Sequence, residues 1–247
     1  MHSGTDQSPG RAVQPPEPRQ RWRLVFHRDR VPAELVGRAA IEGWQSALVE
    51  SGLAFAQLDA AGRPRIAFAA PLAAAAEGEA ELAEIFLAER VPAWRVREAL
   101  SDRLPAGHRL ISAEDIWLGA PPLPGRVVAA DWRVELEPTT VDPEVIAAAA
   151  TGLLDAATLP RVRSKSGSDK AYDLRRLLDD VGVRASASSS PVVVHVRTRF
   201  VPEVGSGRPE EVVAALGDQC GLELRARRIV RVRLVLAGDV PSVLGAD

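Results

Sequence analysis

Cysteine is nearly missing from this chain of 247 residues. The lone Cys220 excludes an internal disulfide and a cysteine-based zinc site. Lysine is almost as scarce: of 31 basic residues only Lys165 and Lys170 are lysines, and the other 29 are arginines. Tyrosine occurs once, at Tyr172, and all aromatics together number 11 (five Trp, five Phe, one Tyr). Four histidines, His2, His27, His108 and His195, are scattered without metal-ligand spacing. No run of about 20 apolar residues is present, so no membrane-crossing helix is expected. The N-terminus has no apolar signal core, which leads us to expect a cytosolic protein without membrane attachment.

What is present is apolar and nearly neutral. Hydrophobic residues make up 46% and the formal net charge is -2, so a basic, nucleic-acid-coating protein is excluded and any anion site must be local. The length suits one large domain or two smaller ones. Residues 1–20 are rich in Pro, Gly and Ser and read as a disordered tail. Trp22, Leu24 and Phe26 then alternate with Arg21, Arg23 and Val25, the pattern of a half-buried strand. A helix is expected over 32–50, with Val36, Ala40, Ile41, Trp44, Ala47 and Leu48 on one face. Short strands follow near 53–58, 64–70 and 81–89, then a helix opened by Pro92 and a strand over 109–118.

Residues 120–126 (Ala-Pro-Pro-Leu-Pro-Gly-Arg) read as a linker, after which the order of elements restarts. Trp132, Val134 and Leu136 form an alternating strand, and Asp142-Pro143-Glu144 opens a helix. Strands are expected near 160–166, 171–178 and 191–201. A helix opened by Pro209 should end at Gly217, before a last strand over 222–236. Residues 21–119 and 127–238 thus form two units of like order, followed by a tail at 239–247. The predicted fold is α+β: a tandem pair of ferredoxin-like units, each an antiparallel sheet with two helices on one face.

The stretch 161–176 concentrates Arg161, Arg163, Lys165, Lys170, Arg175 and Arg176 around Tyr172. On strand alternation, His195, Arg197 and Arg199 share one face of their strand, and Arg231 and Arg233 share one face of theirs. Neighbouring placement of these strands would create a basic surface on the side of the sheet away from the helices. Two readings stand side by side. One is a platform for an anion such as RNA, contacting phosphates because aromatics for base stacking are not interleaved. The other is a solvated or interdomain face whose charges pair with Glu135 and Glu137. Arg208 either binds an anion or caps a turn.

Catalytic signatures are sparse. Ser164-Lys165-Ser166-Gly167-Ser168 lacks phosphate-loop spacing, and no Gly-x-Ser-x-Gly elbow occurs. Cys220 reads as a half-buried structural thiol. His195, assisted by Tyr172 or Lys170, is the one candidate for metal-independent RNA cleavage. No catalytic residue, metal ligand or cofactor is assigned.

Several pieces resemble a known family. They are Lys170-Ala171-Tyr172-Asp173-Leu174-Arg175, the run from Gly207-Arg208-Pro209 to Leu216-Gly217, Ala47-Leu48 with Gly52-Leu53, Arg63 to Ala69, and Pro71-Leu72. By their order, over about residues 21–237, the chain resembles the radical-SAM-linked proteins, the bacterial domain of unknown function 2344. It departs from them where Val36-Gly37-Arg38-Ala39 replaces the usual Ser-His-Leu-Asp. It departs again where Gln57 to Gly62 replaces the usual Ser-Gln-Gly-Phe-Asn-Pro. A site built from that His, Asp and Asn is gone from this member. The resemblance implies an accessory, non-catalytic module that holds RNA or a protein substrate for a radical-SAM partner. The chain has no Cys-x-x-x-Cys-x-x-Cys motif and so would not itself carry the partner's cluster. The alternatives are an RNA-processing enzyme on the same scaffold or a pure protein–protein adaptor.

Overall fold

A computed structural model describes residues 16–165, 168–184 and 191–239. The tail expected at 1–20 lies outside the described residues up to 15, as does the tail expected at 239–247 from 240 onward. The first half contains β1 (Gln20–Arg28), α1 (Arg38–Glu50), β2 (Ala67–Phe68), β3 (Ala76–Leu87), α2 (Ala93–Leu100) and β4 (His108–Ile116). The second contains β5 (Val127–Leu136), α3 (Pro143–Asp155), a hairpin of β6 (Pro160–Lys165) and β7 (Ser168–Asp173), then β8 (Leu178–Arg184), β9 (Val193–Val201), β10 (Gly205–Ser206), α4 (Pro209–Cys220) and β11 (Ala226–Leu236). Nine of these strands join one mixed sheet, in the order β10-β9-β5-β11-β3-β1-β4, with β2 added to β3 and β8 to β9. The protein is therefore a mixed α+β fold with a large sheet and, among the described residues, four α-helices.

The alternation read in the sequence is what builds the core. Trp22, Leu24 and Phe26 are buried, and their partners across the β1–β3 ladder are Ile85, Ala83 and Glu81. Trp44 and Leu48 of α1 and Val96 and Leu100 of α2 pack on this same face. In the second half Trp132 and Val134 pair with Val196 and Val194, under Ile146 and Leu153 of α3 and Val212 and Leu216 of α4. Each such buried side chain contributes roughly 1.5–3 kcal/mol against exposure. The halves join where β11 runs parallel to β3, with Ile229, Val230 and Arg231 opposite Ala76, Glu77 and Gly78. The buried Glu81–Arg231 pair links the helix-covered face of one half to that of the other.

Several boundaries differ from expectation for local reasons. The helix expected over 32–50 is broken: Ala33–Leu35 is a single 3-10 turn, and Gly37 takes φ 63° before α1 starts. That backbone angle is open to glycine and costly for other residues. The strand expected at 53–58 reduces to two isolated bridges, Phe55 to Leu87 and Leu58 to Pro64. The helix α4 passes Gly217, where the missing side chain leaves room for the Leu222 carbonyl, and it ends at Gly221 with φ 68°. The expected linker 120–126 is anchored, since Leu123 is fully buried in the second core.

Candidate functional site

A cavity of about 310 Å³ opens in the first half between α1 and the sheet. Phe26, Trp44, Phe68 and His108 supply its rings, one each from β1, α1, β2 and β4. Trp44 sits centrally, 4.8 Å from Phe26, 5.7 Å from Phe68 and 5.6 Å from His108 between ring centroids. Those spacings suit tilted and edge-on aromatic packing. Val36, Gly37, Ala40 and Ile41 form one side. The segment 69–72 forms the other side.

Two buried guanidiniums fasten that second side. Arg28 donates from Nη1 to the Leu72 carbonyl at 3.0 Å and from Nη2 to that of Ala76 at 2.7 Å, and also reaches Ala73. Arg231, 1% exposed, arrives from β11. It donates from Nη1 to the Pro71 carbonyl at 3.0 Å, from Nη2 to that of Ala70 at 3.2 Å, and from Nε to Glu81 Oε1 at 2.8 Å. A second bond runs to Glu81 Oε2. Glu81 fits because Gly78 has no side chain; a Cβ there would lie 2.5 Å from Glu81 Cγ. The Arg231 guanidinium also stands 5.4 Å from the centroid of Trp132. Two N–H groups of the residues lining this cavity, Arg28 Nε and Trp44 Nε1, are among those without an acceptor in the described residues. A buried donor left so costs about 1–3 kcal/mol. Burial holds Arg28 below its ordinary pKa, with Glu81 opposing and the Arg231 charge reinforcing the shift. Burial likewise depresses His108, whose Nδ1 lies 3.2 Å from the Ala106 carbonyl.

Arg28, Glu81, Trp44 and His108 were not singled out in the sequence as a site, although a signal was there. The apolar alternation 22, 24, 26 continues to Arg28, and the alternation 87, 85, 83 continues to Glu81. Each ladder thus ends in a charge on its buried face.

The residues that were singled out do not gather into one basic platform. The strands β6 and β7 make a separate two-stranded sheet, so Arg161 and Arg163 leave the main sheet. They dock on α4 instead: Arg161 Nη1 meets Asp218 at 2.6 Å, and Arg163 is bidentate on Glu211, with both contacts at 2.6 Å. The Arg163 guanidinium covers the Tyr172 ring at 4.3 Å. Burial first, and the neighbouring Glu211 carboxylate second, push the Tyr172 phenol up to about 12. Lys170 is exposed on β7. Lys165 ends β6, and its side chain lies outside the described part. Arg175 donates to the Leu154 and Leu178 carbonyls at 3.1 and 2.9 Å, a structural clamp. Arg208 is exposed before α4 and makes no side-chain cap bond.

Of the remaining basic residues, Arg231 and Arg233 do not share a face. A bulge between them turns Arg231 to the Trp132 side, into the core, and leaves Arg233 on the side of Asp131. The strands β9 and β11 are separated by β5, whose Asp131 receives Arg197 Nε at 2.6 Å and Arg233 Nε at 2.7 Å. Burial alone would raise Asp131, but the two guanidiniums overcome it and hold the carboxyl below its ordinary range. Arg199 pairs with Asp179. His195 is depressed by burial and by the charges of Arg184 and Arg133. Across the seam, Arg228 bonds Glu77 and Glu135, and Arg133 bonds Glu79. The sheet face turned from the helices is a field of matched charges in which the expected partner Glu135 takes part. Among the described residues no group of three His, Cys, Asp or Glu side chains is placed to hold a metal. No described helix is long and apolar enough to cross a membrane.

The fold and cavity define the chain as a mixed α+β protein with a large sheet. Residues 61–206, more than half of it, match the profile of the family described as "Uncharacterized protein conserved in bacteria (DUF2344)", and the chain belongs to that family. No curated protein matches the sequence. Among solved structures, a chain of the "Crystal Structure of a Cbf5-Nop10-Gar1 Complex" is similar at 9% identity and a TM-score of 0.48. The likeness covers 86% of this chain and 48% of that one, so the present chain spans about half the length of the match.

Proposed function

We propose that the chain is a non-catalytic accessory module which serves a radical-SAM partner and recognises what it holds through the first-half cavity. The observation that carries this reading is an open cavity of about 310 Å³ lined by aromatic side chains from four different elements. A concave, mostly apolar cavity of this size suits a small ligand. The partner comes from the family resemblance. Arg161, Arg163, Arg197 and Arg199, expected to grip RNA phosphates, are engaged with Asp218, Glu211, Asp131 and Asp179, which favours recognition in the cavity over a phosphate platform.

The same reading takes the scaffold as two ferredoxin-like units. It is supported by the strand orders β4-β1-β3-β2 and β11-β5-β9-β8, with a helix following β1 and β3 in the one and following β5 and, after the short β10, β9 in the other. The β6–β7 hairpin is an insertion in the second unit.

The test is reconstitution with the radical-SAM protein of the same bacterium. Wild-type chain should raise the partner's turnover, and Ala40→Phe, which plugs the cavity mouth, should abolish the gain while still co-purifying with the partner. Equal turnover without the chain, or with Ala40→Phe, overturns the proposal.

A further inference from the structure

We propose that the end of strand β4 is a docking site for a short extended segment of a partner protein, one that carries a bulky apolar side chain and a carboxylate. The apolar anchor is Trp117. Its side chain is 77% exposed, the highest value among the exposed large hydrophobic residues. The ring is nonetheless seated. Gly119 makes room for it, since a Cβ there would lie 2.6 Å from Trp117 Cζ2. The Ala120 amide donates to the Trp117 carbonyl at 3.0 Å and closes a turn. The buried Arg21 holds the carbonyls that follow, of Ala120 and, at 3.0 Å, of Pro121, and is itself fixed by Glu84. A Trp held in place gives up little entropy on binding, and Trp and Arg lead the residues that dominate protein interfaces.

A groove of about 340 Å³ adjoins the ring and shares no residue with the walls of the cavity. Arg19 and Arg90 line it, and among the described residues neither side chain has an ion pair or a hydrogen bond. Arg21 and Arg23, just beyond on β1, share Glu84 instead. The Gln20 side chain ties the floor together: its oxygen accepts from the Val91 amide at 3.0 Å, and its nitrogen donates to Asp115 at 2.7 Å. A carboxylate set between the two guanidiniums gains charge-assisted bonds that the chain itself leaves unmade. Ile116 and Leu118 extend the apolar surface beside Trp117. Polypeptide fits better than RNA for two reasons. Asp115 also lines the groove, and Glu17 and Glu89 lie exposed near Arg19 and Arg90 in the chain, charges that repel a run of phosphates. Further, β4 is the last strand of the sheet on this side, so its outer edge presents backbone groups that a polypeptide can continue by strand addition. A register shift opposite Val25 and Phe26 limits the regular edge to 112–116, which leads straight to Trp117.

The experiment selects binders of the full chain from a random peptide library at physiological ionic strength and measures synthetic copies of them by fluorescence anisotropy. Selected peptides are expected to join an aromatic or aliphatic side chain to Asp or Glu within a few residues. Trp117→Ala should weaken them roughly tenfold or more with the thermal melt preserved. The double variant Arg19→Met, Arg90→Met should weaken them several-fold. Exchanging the peptide's carboxylate for its amide should cost the wild type as much and the double variant nothing further. Selection of no peptide, or of peptides that bind Trp117→Ala equally well, overturns the site, and selection dominated by Lys and Arg overturns its charge. A labelled oligouridylate should show no loss on Trp117→Ala; a clear loss assigns the surface to RNA instead. Self-association in sedimentation that disappears on Trp117→Ala assigns it to a second copy of the chain. Ala40→Phe should bind the selected peptides as the wild type does, so each of these outcomes leaves the cavity reading and its reconstitution test standing.

Discussion

Glu81 and Arg231, 150 residues apart in the chain, are joined by a bidentate ion pair at the seam between the two halves of the sheet. Both are nearly inaccessible, at 4% and 1% exposure. A pair so deep gains little over an apolar substitute, but removing one member strands the other charge.

Glu81→Gln or Arg231→Met should therefore each lower unfolding free energy by about 3–5 kcal/mol in urea titrations. The double variant should lose less than the sum, since neither partner is then stranded. Additive losses would show that the two groups act separately.

Gly78→Ala tests the same seam through shape. Its Cβ would lie 2.5 Å from Glu81 Cγ and 2.6 Å from Oε1, so the carboxylate must leave Arg231 or the strand must shift. A loss of about 1–3 kcal/mol is expected for such overpacking. Glu81→Gly in the Gly78→Ala background should recover nothing of the ion pair but should relieve the clash, giving less than the summed loss.

Asp131 occupies Arg197 and Arg233 on the sheet face, which should leave that face little attraction for polyanions. Filter binding with single-stranded RNA should show weak retention and a shallow dependence on salt for the wild type. Asp131→Asn removes the counter-charge of Arg197 and Arg233. It should steepen the slope of log K against log salt by about 0.7 per cation recruited. A wild-type slope as steep as the variant's would restore the phosphate platform.

Acid should weaken the fold through His108 and His195. Burial leads the depression of both, so in the folded state each binds its proton later than in the unfolded chain. Their contribution is complete above the unfolded value of about 6.5 and is lost as pH falls through the folded ones. The urea midpoint should drop between pH 7.5 and 5, and His108→Gln should flatten its share of that drop. A midpoint that rises on acidification would reverse the assignment.

Much of the scaffold was legible because alternation is local. Trp22, Leu24 and Phe26, and again Trp132, Val134 and Leu136, announce their strands and their buried faces. Pro92, Asp142-Pro143 and Pro209 announce helices, and each starts where its Pro or cap stands. The strand β8 was missed because Leu178–Arg184 follows a 3-10 turn and carries Asp179, Asp180 and Gly182, which mask the pattern. The supposed basic platform failed on long-range order. No local signal says that β5 lies between β9 and β11 and brings Asp131, nor that a bulge turns Arg231 inward. The cavity was hidden for the same reason: Trp44 and Arg231 look like an ordinary helix-core residue and an ordinary strand cation until the sheet brings both toward the segment 69–72.

The loop beside the cavity is clasped by Arg231, a residue near the end of the chain. During synthesis from the N-terminus the four rings are made early, but the clasp exists only after β11 has been released and laid beside β3. The cavity in its finished shape therefore requires that β11 has been made: a copy truncated before Arg231 would offer the rings without the clasp.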